Sequence, residues 1–196
     1  MRQNLFHKIL TKALMCLSLV LCACGESDKP PLVFIGDSQI ARWDVESYFP
    51  MAETRNHGLS GSGVQWLEEN ANIAAGEPIV ILSGTNDLAH MQEDELDAYI
   101  DRYLNAVCSL GEGRLIIISV LPRSTELDPS GKTNALVSEF NAKIKERVQE
   151  IERVSYCDVF DDFATDGRLN MNFSFDGLHP NQYGYEILAE KVKELL

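Results

Sequence analysis

The feature that most constrains the fold of this chain is a series of short apolar runs without internal alternation. A strand with one face in water alternates apolar and polar residues, whereas a parallel strand covered on both faces is apolar throughout. The runs therefore predict parallel strands in the interior of the protein. They fall at residues 32–35, 78–82, 115–121 and 154–160, and the mostly polar residues 52–56 form a weaker strand candidate.

Amphipathic helical patterns separate the later strand candidates. Apolar residues recur at helical spacing over residues 96–107, 136–151 and 185–195. Acidic residues at 93–95 come before the first of these stretches, as suits the amino end of a helix. Because strands alternate with helices, the pattern predicts one doubly wound α/β domain, which we assign to residues 32–196.

Residues 1–23 have the pattern of a bacterial export signal. Arg2, Lys8 and Lys12 form a positive segment, and residues 13–23 form an apolar run too short to span a bilayer. The small residue before Cys24 resembles a lipoprotein cleavage site, which implies a lipid on Cys24, a polar tether over residues 24–31 and a protein held in the cell envelope. The alternatives are cleavage before Cys22, or an ordinary signal that leaves Cys24 unmodified.

The acidic balance of the chain excludes several kinds of partner. The formal net charge is −13, and it becomes −16 once residues 1–23, with their three positive charges and no acids, are removed. Such a charge repels phosphate backbones and anionic lipid headgroups. We therefore expect no nucleic-acid partner, and contact with a membrane only through the lipid anchor.

Two cysteines, Cys108 and Cys157, lie in the predicted domain. The oxidising compartment that an exported protein reaches permits a disulfide between them. Both lie in apolar patterns typical of a core, so a pair of buried thiols is an equal alternative. Neither has a neighbouring histidine in the sequence, and we assign neither to catalysis.

Ser38 is the candidate nucleophile. It comes directly after the first strand candidate, and Gly36 permits a sharp turn that exposes its hydroxyl. In a doubly wound domain, ligands bind beyond the carboxyl ends of the strands, which is where this serine falls. A serine hydroxyl needs a base to take its proton. The structural alternative is that Ser38 only caps a helix.

His179 is the candidate base, and Asp176 is the candidate acid that orients it. His57 and His90 lack an acidic motif of this kind. Asp176 stands three residues before His179 with a glycine between them, so a tight turn places the carboxylate against one ring nitrogen and leaves the other for Ser38. The alternative is a plain Asp-Gly turn with an exposed histidine.

Acyl transfer also needs donors for the oxyanion of a tetrahedral intermediate. The candidates are the Ser38 N–H, the Gly61 N–H after the second strand candidate and the Asn86 side-chain amide after the third. Loop flexibility for Gly61 and a helix cap for Asn86 are the structural alternatives.

Together the motifs resemble the sequence blocks of the SGNH hydrolase family, the GDSL esterases and lipases. The matching blocks are Gly36-Asp37-Ser38, residues 56–61, Gly84-x-Asn86-Asp87 and Asp176-x-x-His179-Pro180. The resemblance covers about residues 32–196 and implies a flavodoxin-like, three-layer α/β/α fold with a five-stranded parallel sheet in the order 2-1-3-4-5.

The resemblance also implies residue roles. They are Ser38 as nucleophile, Gly61 and Asn86 as oxyanion donors together with the Ser38 N–H, and His179 with Asp176 as the base and its partner. Gln39 after the nucleophile and Ser62 after Gly61 depart from the common pattern of the family. Neither departure removes a catalytic group, but both leave the substrate open.

A serine–histidine pair predicts hydrolysis of carboxylic esters through an acyl-enzyme, without a metal or another cofactor. The chain has no insertion long enough for a lipase lid, so we expect a small ester substrate with a short acyl group, and an acetylated glycan is one candidate. A lysophospholipase or thioesterase is the alternative within the family. A non-catalytic ligand-binding lipoprotein is the alternative outside it, and we disfavour it because no candidate catalytic group is missing.

Two tryptophans and one loop are further candidates for substrate contact. Trp43 and Trp66 follow soon after Ser38 and Gly61, and either one is able to stack on a sugar ring if it is exposed. Packing in the core or against a helix is the more common role of such a residue, and we favour it for both. Residues 122–132 form a polar loop at the end of a strand, and we expect it to be a pocket wall.

Overall fold

A parallel sheet lies at the centre of the protein, in a computed structural model that describes residues 29–196. Its strands are β1 (Pro31–Gly36), β2 (Glu53–Gly58), β3 (Ile79–Leu82), β4 (Leu115–Ile118) and β5 (Val154–Cys157). Their order in the sheet is β2-β1-β3-β4-β5, and every neighbouring pair is parallel. The predicted flavodoxin-like order is confirmed. The export signal, Cys24 and most of the tether lie outside the described residues.

Helices connect the strands and cover both faces of the sheet. In chain order they are α1 (Ser38–Ala41), α2 (Val45–Tyr48), α3 (Val64–Glu69), α4 (Thr85–Leu88), α5 (Leu96–Ser109), α6 (Lys132–Arg147), α7 (Phe160–Phe163) and α8 (Gln182–Lys193). A short hairpin of β6 (Ala164–Thr165) and β7 (Arg168–Leu169) follows α7. The sequence patterns do not predict this hairpin.

The apolar core is divided by the sheet into two clusters. Successive strand residues point to opposite faces, so Val33 and Ile35 pack with α3, α5 and α6, whereas Leu32 and Phe34 pack with α1 and α8. All the residues of β3 and β4 are buried. This arrangement explains why their sequences are apolar throughout rather than alternating.

Two predicted strands end earlier than their apolar runs. The run at 115–121 forms a strand only to Ile118, and the run at 154–160 only to Cys157. Beyond these points side chains replace the sheet partners of the backbone. The Asn141 side chain bonds both the N–H and the carbonyl of Val120, and the Ser119 hydroxyl accepts from the Val159 N–H.

The last helix begins after Pro180, which lies in the preceding turn. The first residue of α8 is Gln182, and Asn181 caps it by accepting from the Gly184 N–H. Pro180 instead pairs with Ser174 in an isolated antiparallel bridge. The proline therefore closes the turn that precedes the helix, and it does not open the helix itself.

Both cysteines of the domain are free thiols. Cys157 is buried among the core residues beside α8, and Cys108 on α5 is half-buried. Burial raises the pKa of the Cys157 thiol to about 12. A thiol with such a pKa is inert as a nucleophile. Among residues 29–196, no helix has both the length and the apolar character needed to cross a membrane.

Candidate active site

The structure brings Ser38, His179 and Asp176 into one line of hydrogen bonds at the carboxyl edge of the sheet. The Ser38 hydroxyl donates to His179 Nε2 at 2.8 Å, and His179 Nδ1 donates to Asp176 Oδ2 at 2.6 Å, with the imidazole proton assigned to Nδ1. Ser38 and His179 are 141 residues apart in the sequence. Both are buried, at 6% and 9% exposure, so water competes little for the bond between them.

Asp37, and not Ser38, caps the first helix. The Asp37 carboxylate accepts from the Gln39 N–H at 2.9 Å, and Ser38 is the first residue inside α1. The interpretation of Ser38 as only a helix cap is therefore wrong. Since the cap bond is made by its neighbour, the Ser38 hydroxyl is left to contact the imidazole.

An Asp-Gly turn holds the imidazole in place. Gly177 has a φ of +83°, a left-handed conformation that favours glycine. Asp176 Oδ1 accepts from the Leu178 and His179 N–H groups at 3.0 and 2.8 Å. Partial burial disfavours the charged carboxylate, but these bonds and the one from the ring outweigh it and hold the pKa of Asp176 below its ordinary value. The alternative of an exposed histidine beside a plain turn is wrong.

Two further side chains fasten this turn, and the sequence patterns assign neither a role. The Ser174 hydroxyl donates to the His179 carbonyl at 2.7 Å and accepts from the Gly177 N–H at 3.0 Å. Gln39, which is fully buried, donates from Nε2 to the Leu178 carbonyl at 2.8 Å. The only sign of this role in the sequence is that Gln39 departs from the family pattern. Its bond to the Leu178 carbonyl joins the serine turn directly to the histidine turn.

The three candidate oxyanion donors surround the same edge. The Ser38 N–H is at the first position of α1, where no intrahelical partner exists, and the Gly61 N–H makes no hydrogen bond within residues 29–196. Asn86 donates from Nδ2 to the Ser62 carbonyl at 2.8 Å, which fixes the amide and leaves its second N–H unused. Gly84, and not Asn86, is at the cap position of α4, so the helix-cap alternative is wrong.

A cleft of about 600 Å³ opens beside two of these donors. Gly61 and Asn86 are among its lining residues, whereas Ser38 and His179 are not. The lining combines apolar residues, Met91 and Tyr99 among them, with polar ones. The remaining lining residues are Gly63, Gln65, Asp87, His90, Glu95, Ala98 and Arg102.

The predicted pocket-wall loop packs against the histidine turn. The Ser124 N–H donates to the Gly177 carbonyl at 3.0 Å, and Arg123 Nη2 donates to the Thr85 carbonyl at 2.8 Å, next to Asn86. The Asn134 side chain bonds both backbone groups of Arg123. This loop therefore braces two parts of the site at once, a role that its polar composition alone does not reveal.

Neither tryptophan is exposed in the site. Trp43 is 2% exposed and stacks on Tyr185 at a ring-centre distance of 5.5 Å, so it belongs to the core. Trp66 is half-buried and donates to the His57 carbonyl at 2.8 Å. The expectation of sugar stacking is wrong for Trp43 and has no support for Trp66. The exposed aromatic ring next to the imidazole is Phe175.

A buried carboxyl lies directly behind the nucleophile. Asp37 is fully buried, and its Oδ2 has no hydrogen-bond partner among the described residues. The pKa of Asp37 is raised to about 7, mainly by burial and also by the Asp87 carboxylate, although the bond from the Gln39 N–H and the charge of Arg123 lower it in part. Within residues 29–196, no three histidine, cysteine or acidic side chains form a cluster that fits a metal ion.

Comparison with known proteins matches most of the domain to one family. The model of the GDSL-like lipase/acylhydrolase family matches residues 34–187. An N-acylneuraminate cytidylyltransferase of Escherichia coli O18:K1:H7 (strain RS218 / NMEC) is 26% identical over 175 residues, which cover 84% of this chain. The chain spans only 40% of the length of that curated relative.

Solved structures have the same fold. A GDSL-like lipase from Bacteroides thetaiotaomicron VPI-5482 has a TM-score of 0.68 at 20% identity, over 92% of this chain and 94% of the other. A catalytic mutant of an acetylxylan esterase from Geobacillus stearothermophilus has a TM-score of 0.64 at 18% identity, over 86% and 95%. At such identities the likeness shows the fold alone.

The Asp37 carboxyl predicts a stability that depends on pH. Its pKa rises from 3.8 to about 7 on folding, so between these values the folded state keeps a proton that the unfolded state releases. Stability therefore falls as pH rises through this window. Asp37→Asn abolishes the titration and keeps an oxygen for the Gln39 N–H. We expect the free energy of unfolding of Asp37→Asn, relative to wild type, to increase by about 2 kcal/mol from pH 5 to pH 7.

Urea titrations at several pH values measure this difference. Asp166→Asn is the matched control, because Asp166 is exposed in the turn between β6 and β7 and loses the same charge. We expect its difference from wild type to stay constant over the same range. An Asp37→Asn difference that also stays constant would contradict the buried, protonated carboxyl.

Proposed function

The chain belongs to the GDSL-like lipase/acylhydrolase family, and from this membership we propose that it removes short acyl groups from small esters or glycans through an acyl-enzyme on Ser38. The family is one of lipases and acylhydrolases, and ester hydrolysis is the corresponding activity that we propose for this chain. The observation that carries the proposed mechanism is the pair of hydrogen bonds from Ser38 to His179 and from His179 to Asp176, at 2.8 and 2.6 Å.

In the first half of the reaction, Ser38 Oγ attacks the ester carbonyl carbon while His179 Nε2 takes the hydroxyl proton. The carbonyl oxygen becomes an oxyanion in the tetrahedral intermediate. When the intermediate collapses, the bond to the alcohol oxygen breaks and the imidazolium gives its proton to that oxygen. The alcohol leaves, and the acyl group stays on Ser38 as an ester.

In the second half, a water molecule replaces the alcohol. His179 Nε2 takes a proton from the water as its oxygen attacks the acyl carbon. The second tetrahedral intermediate collapses, the proton returns to Ser38 Oγ, and the carboxylic acid is released. Asp176 remains a carboxylate throughout and stabilises the imidazolium, a role that its lowered pKa favours.

Three N–H donors are suited to stabilise the oxyanion. The N–H groups of Ser38 and Gly61 have no acceptor among residues 29–196, and the bond to the Ser62 carbonyl holds the Asn86 amide in one orientation. Donors fixed before the reaction cost no reorganisation when the charge develops. In this proposal Ser62 is a positioning residue, since it acts only through Asn86.

The short-acyl part of the proposal is supported by the sequence of residues 32–196, which contains no insertion long enough to form a lipase lid. The acetylxylan esterase of the same fold and the curated relative, whose name includes an acylneuraminate, both make acylated sugars reasonable substrates to test.

We also propose that the protein is exported and held at the cell envelope by a lipid on Cys24. The support is the sequence alone, namely the positive segment, the apolar run and the small residue before Cys24.

Substitution of the catalytic groups tests the mechanism. Ser38→Ala and His179→Ala should each lower kcat for p-nitrophenyl acetate by about 10⁴-fold, because each removes a group that forms or breaks a bond. Asp176→Ala should cost less, since the imidazole itself remains. Ser138→Ala on the exposed face of α6 is a matched control that should keep full activity. Wild-type turnover in Ser38→Ala would refute the acyl-enzyme.

The length of the acyl group tests the substrate class. Purified residues 25–196 should hydrolyse p-nitrophenyl acetate with a higher kcat/KM than the butyrate, octanoate and palmitate esters. Acetylated sugars, lysophospholipids and acyl thioesters then form a second panel, measured against Ser38→Ala as the blank. Rates that are equal or greater on the long chains would identify a lysophospholipase or thioesterase instead.

Fractionation of cells tests the anchor. Cys24→Ser should move the protein from the membrane fraction to the soluble fraction of the envelope, because the thiol that receives the lipid is absent. Cys16→Ser, within the apolar run, is the control and should leave the protein in the membrane fraction. Membrane retention of Cys24→Ser would show that the lipid on this residue is not the anchor.

A further inference from the structure

An exposed aromatic ring and an arginine lie beside the imidazole of the site. The Phe175 ring is nearly parallel to the His179 ring, with 6.0 Å between ring centres and 16° between planes. The Arg42 Cζ atom lies 5.7 Å from the centre of the same Phe175 ring. Phe175 is 57% exposed, in contrast to the buried Trp43 that the sequence suggested for this role.

Arg42 has no partner of opposite charge in the part of the chain that the structure describes. It is exposed at the carboxyl end of α1, and within residues 29–196 it makes no ion pair and no side-chain hydrogen bond. Its guanidinium therefore keeps five N–H donors for a ligand. Other arginines of the domain are paired with carboxylates, namely Arg55, Arg102, Arg147 and Arg168.

The chemistry of ester cleavage defines which part of the substrate meets this pair. The imidazole gives its proton to the departing alcohol oxygen, so the alcohol part of the ester lies on the imidazole side. Phe175 and Arg42 are on that side, because Phe175 stacks on His179 itself. The cleft at Gly61 and Asn86 is a separate surface and contains neither residue.

We propose that Arg42 and Phe175 form a subsite for the alcohol part of the substrate, and that this alcohol carries an anionic group. The inference rests on the proposed esterase function and adds the charge of the substrate to it. A guanidinium binds a carboxylate or a phosphate through two parallel N–H donors. The exposed Phe175 ring adds an apolar surface next to the scissile bond, on which a sugar ring packs.

The acidity of the rest of the protein makes this local cation informative. A chain of net charge −13 repels an anionic ligand at long range. An anionic ester therefore depends on a nearby cation, and Arg42 lies over the Phe175 ring that stacks on the imidazole. Its attraction is screened by salt because it is exposed.

The test compares esters that differ only in charge. The carboxylate arm pairs mono-O-acetylated N-acetylneuraminic acid with its methyl ester, and mono-O-acetylated glucuronic acid with mono-O-acetylated glucose. The phosphate arm pairs acetylated glycerol 3-phosphate with acetylated glycerol. The enzymes are wild type, Arg42→Gln, Arg42→Glu and the control Arg114→Gln, which removes the same charge from an exposed position at the opposite edge of the sheet.

We expect Arg42→Gln to lower kcat/KM for the anionic member of at least one arm by about fivefold, as for an exposed ion pair, and mainly through KM. Arg42→Glu should lower kcat/KM for the anionic ester further. Salt at about 0.5 M should reduce the difference in kcat/KM between the anionic and neutral esters in wild type, because salt screens an exposed charge. The neutral esters and the Arg114→Gln control should be unchanged. The arm that responds identifies a carboxylate or a phosphate as the anion.

A second set of variants tests the aromatic ring. Phe175→Leu should raise KM for both charged and neutral sugar esters, and Phe175→Tyr should restore it, because the ring surface returns. Thermal unfolding of each variant shows whether it is folded.

An anionic-to-neutral ratio of kcat/KM that is the same in wild type, Arg42→Gln and Arg42→Glu, in both arms, would overturn the anion subsite and leave the esterase function standing. A wild type that hydrolyses none of the esters would overturn the esterase function, and the subsite with it.

Discussion

The close approach of β1 to β3 at Gly36 is the constraint on which the rest of the site depends. A Cβ atom at this position would lie 1.8 Å from the Leu82 carbonyl oxygen at the end of β3. On the other side, the Gly36 carbonyl accepts from the Leu59 N–H and the Ser62 hydroxyl after β2. One glycine thus joins the serine turn to the loops on both sides, and any side chain there would push them apart.

Asparagine side chains supply the loops with the backbone hydrogen-bond partners that neighbouring strands supply within the sheet. A backbone group that leaves the sheet still needs a hydrogen-bond partner if it is buried, and a primary amide supplies both a donor and an acceptor. Asn134 and Asn141 each bond the N–H and carbonyl of one residue in the loop after β4. Asn56 bonds two carbonyls around α1, and Asn86 bonds Ser62. These amides hold the loops that carry the site. The loops are therefore fixed in place although the strands do not extend into them.

The predictive power of the sequence differs between parts of the site. The serine, the Asp-Gly turn and the asparagine after β3 were recognisable because each is a local motif at the end of an apolar run. The role of Gln39 is not predictable from local sequence, because its partner, the Leu178 carbonyl, is 139 residues away. The tryptophans show that nearness to the nucleophile in the sequence does not place a side chain in the site. Trp43 is near Ser38 in the sequence, but its ring faces Tyr185 in the core, whereas Phe175 is exposed beside His179.

The sequence by itself determined the alternation of strands and helices, the parallel sheet and the motifs that meet at its carboxyl edge. These follow from periodicity and from the turn preferences of glycine, aspartate and asparagine, which act over a few residues. Only the tertiary structure decided where β4 and β5 end and which aromatic ring is exposed at the site. It also decided that Arg42 has no acidic partner among residues 29–196, and that the pKa of the Asp37 carboxyl is raised to about 7. The reason is physical: burial, pairing and desolvation depend on every side chain that the fold brings near a group, and most of those neighbours come from distant parts of the chain.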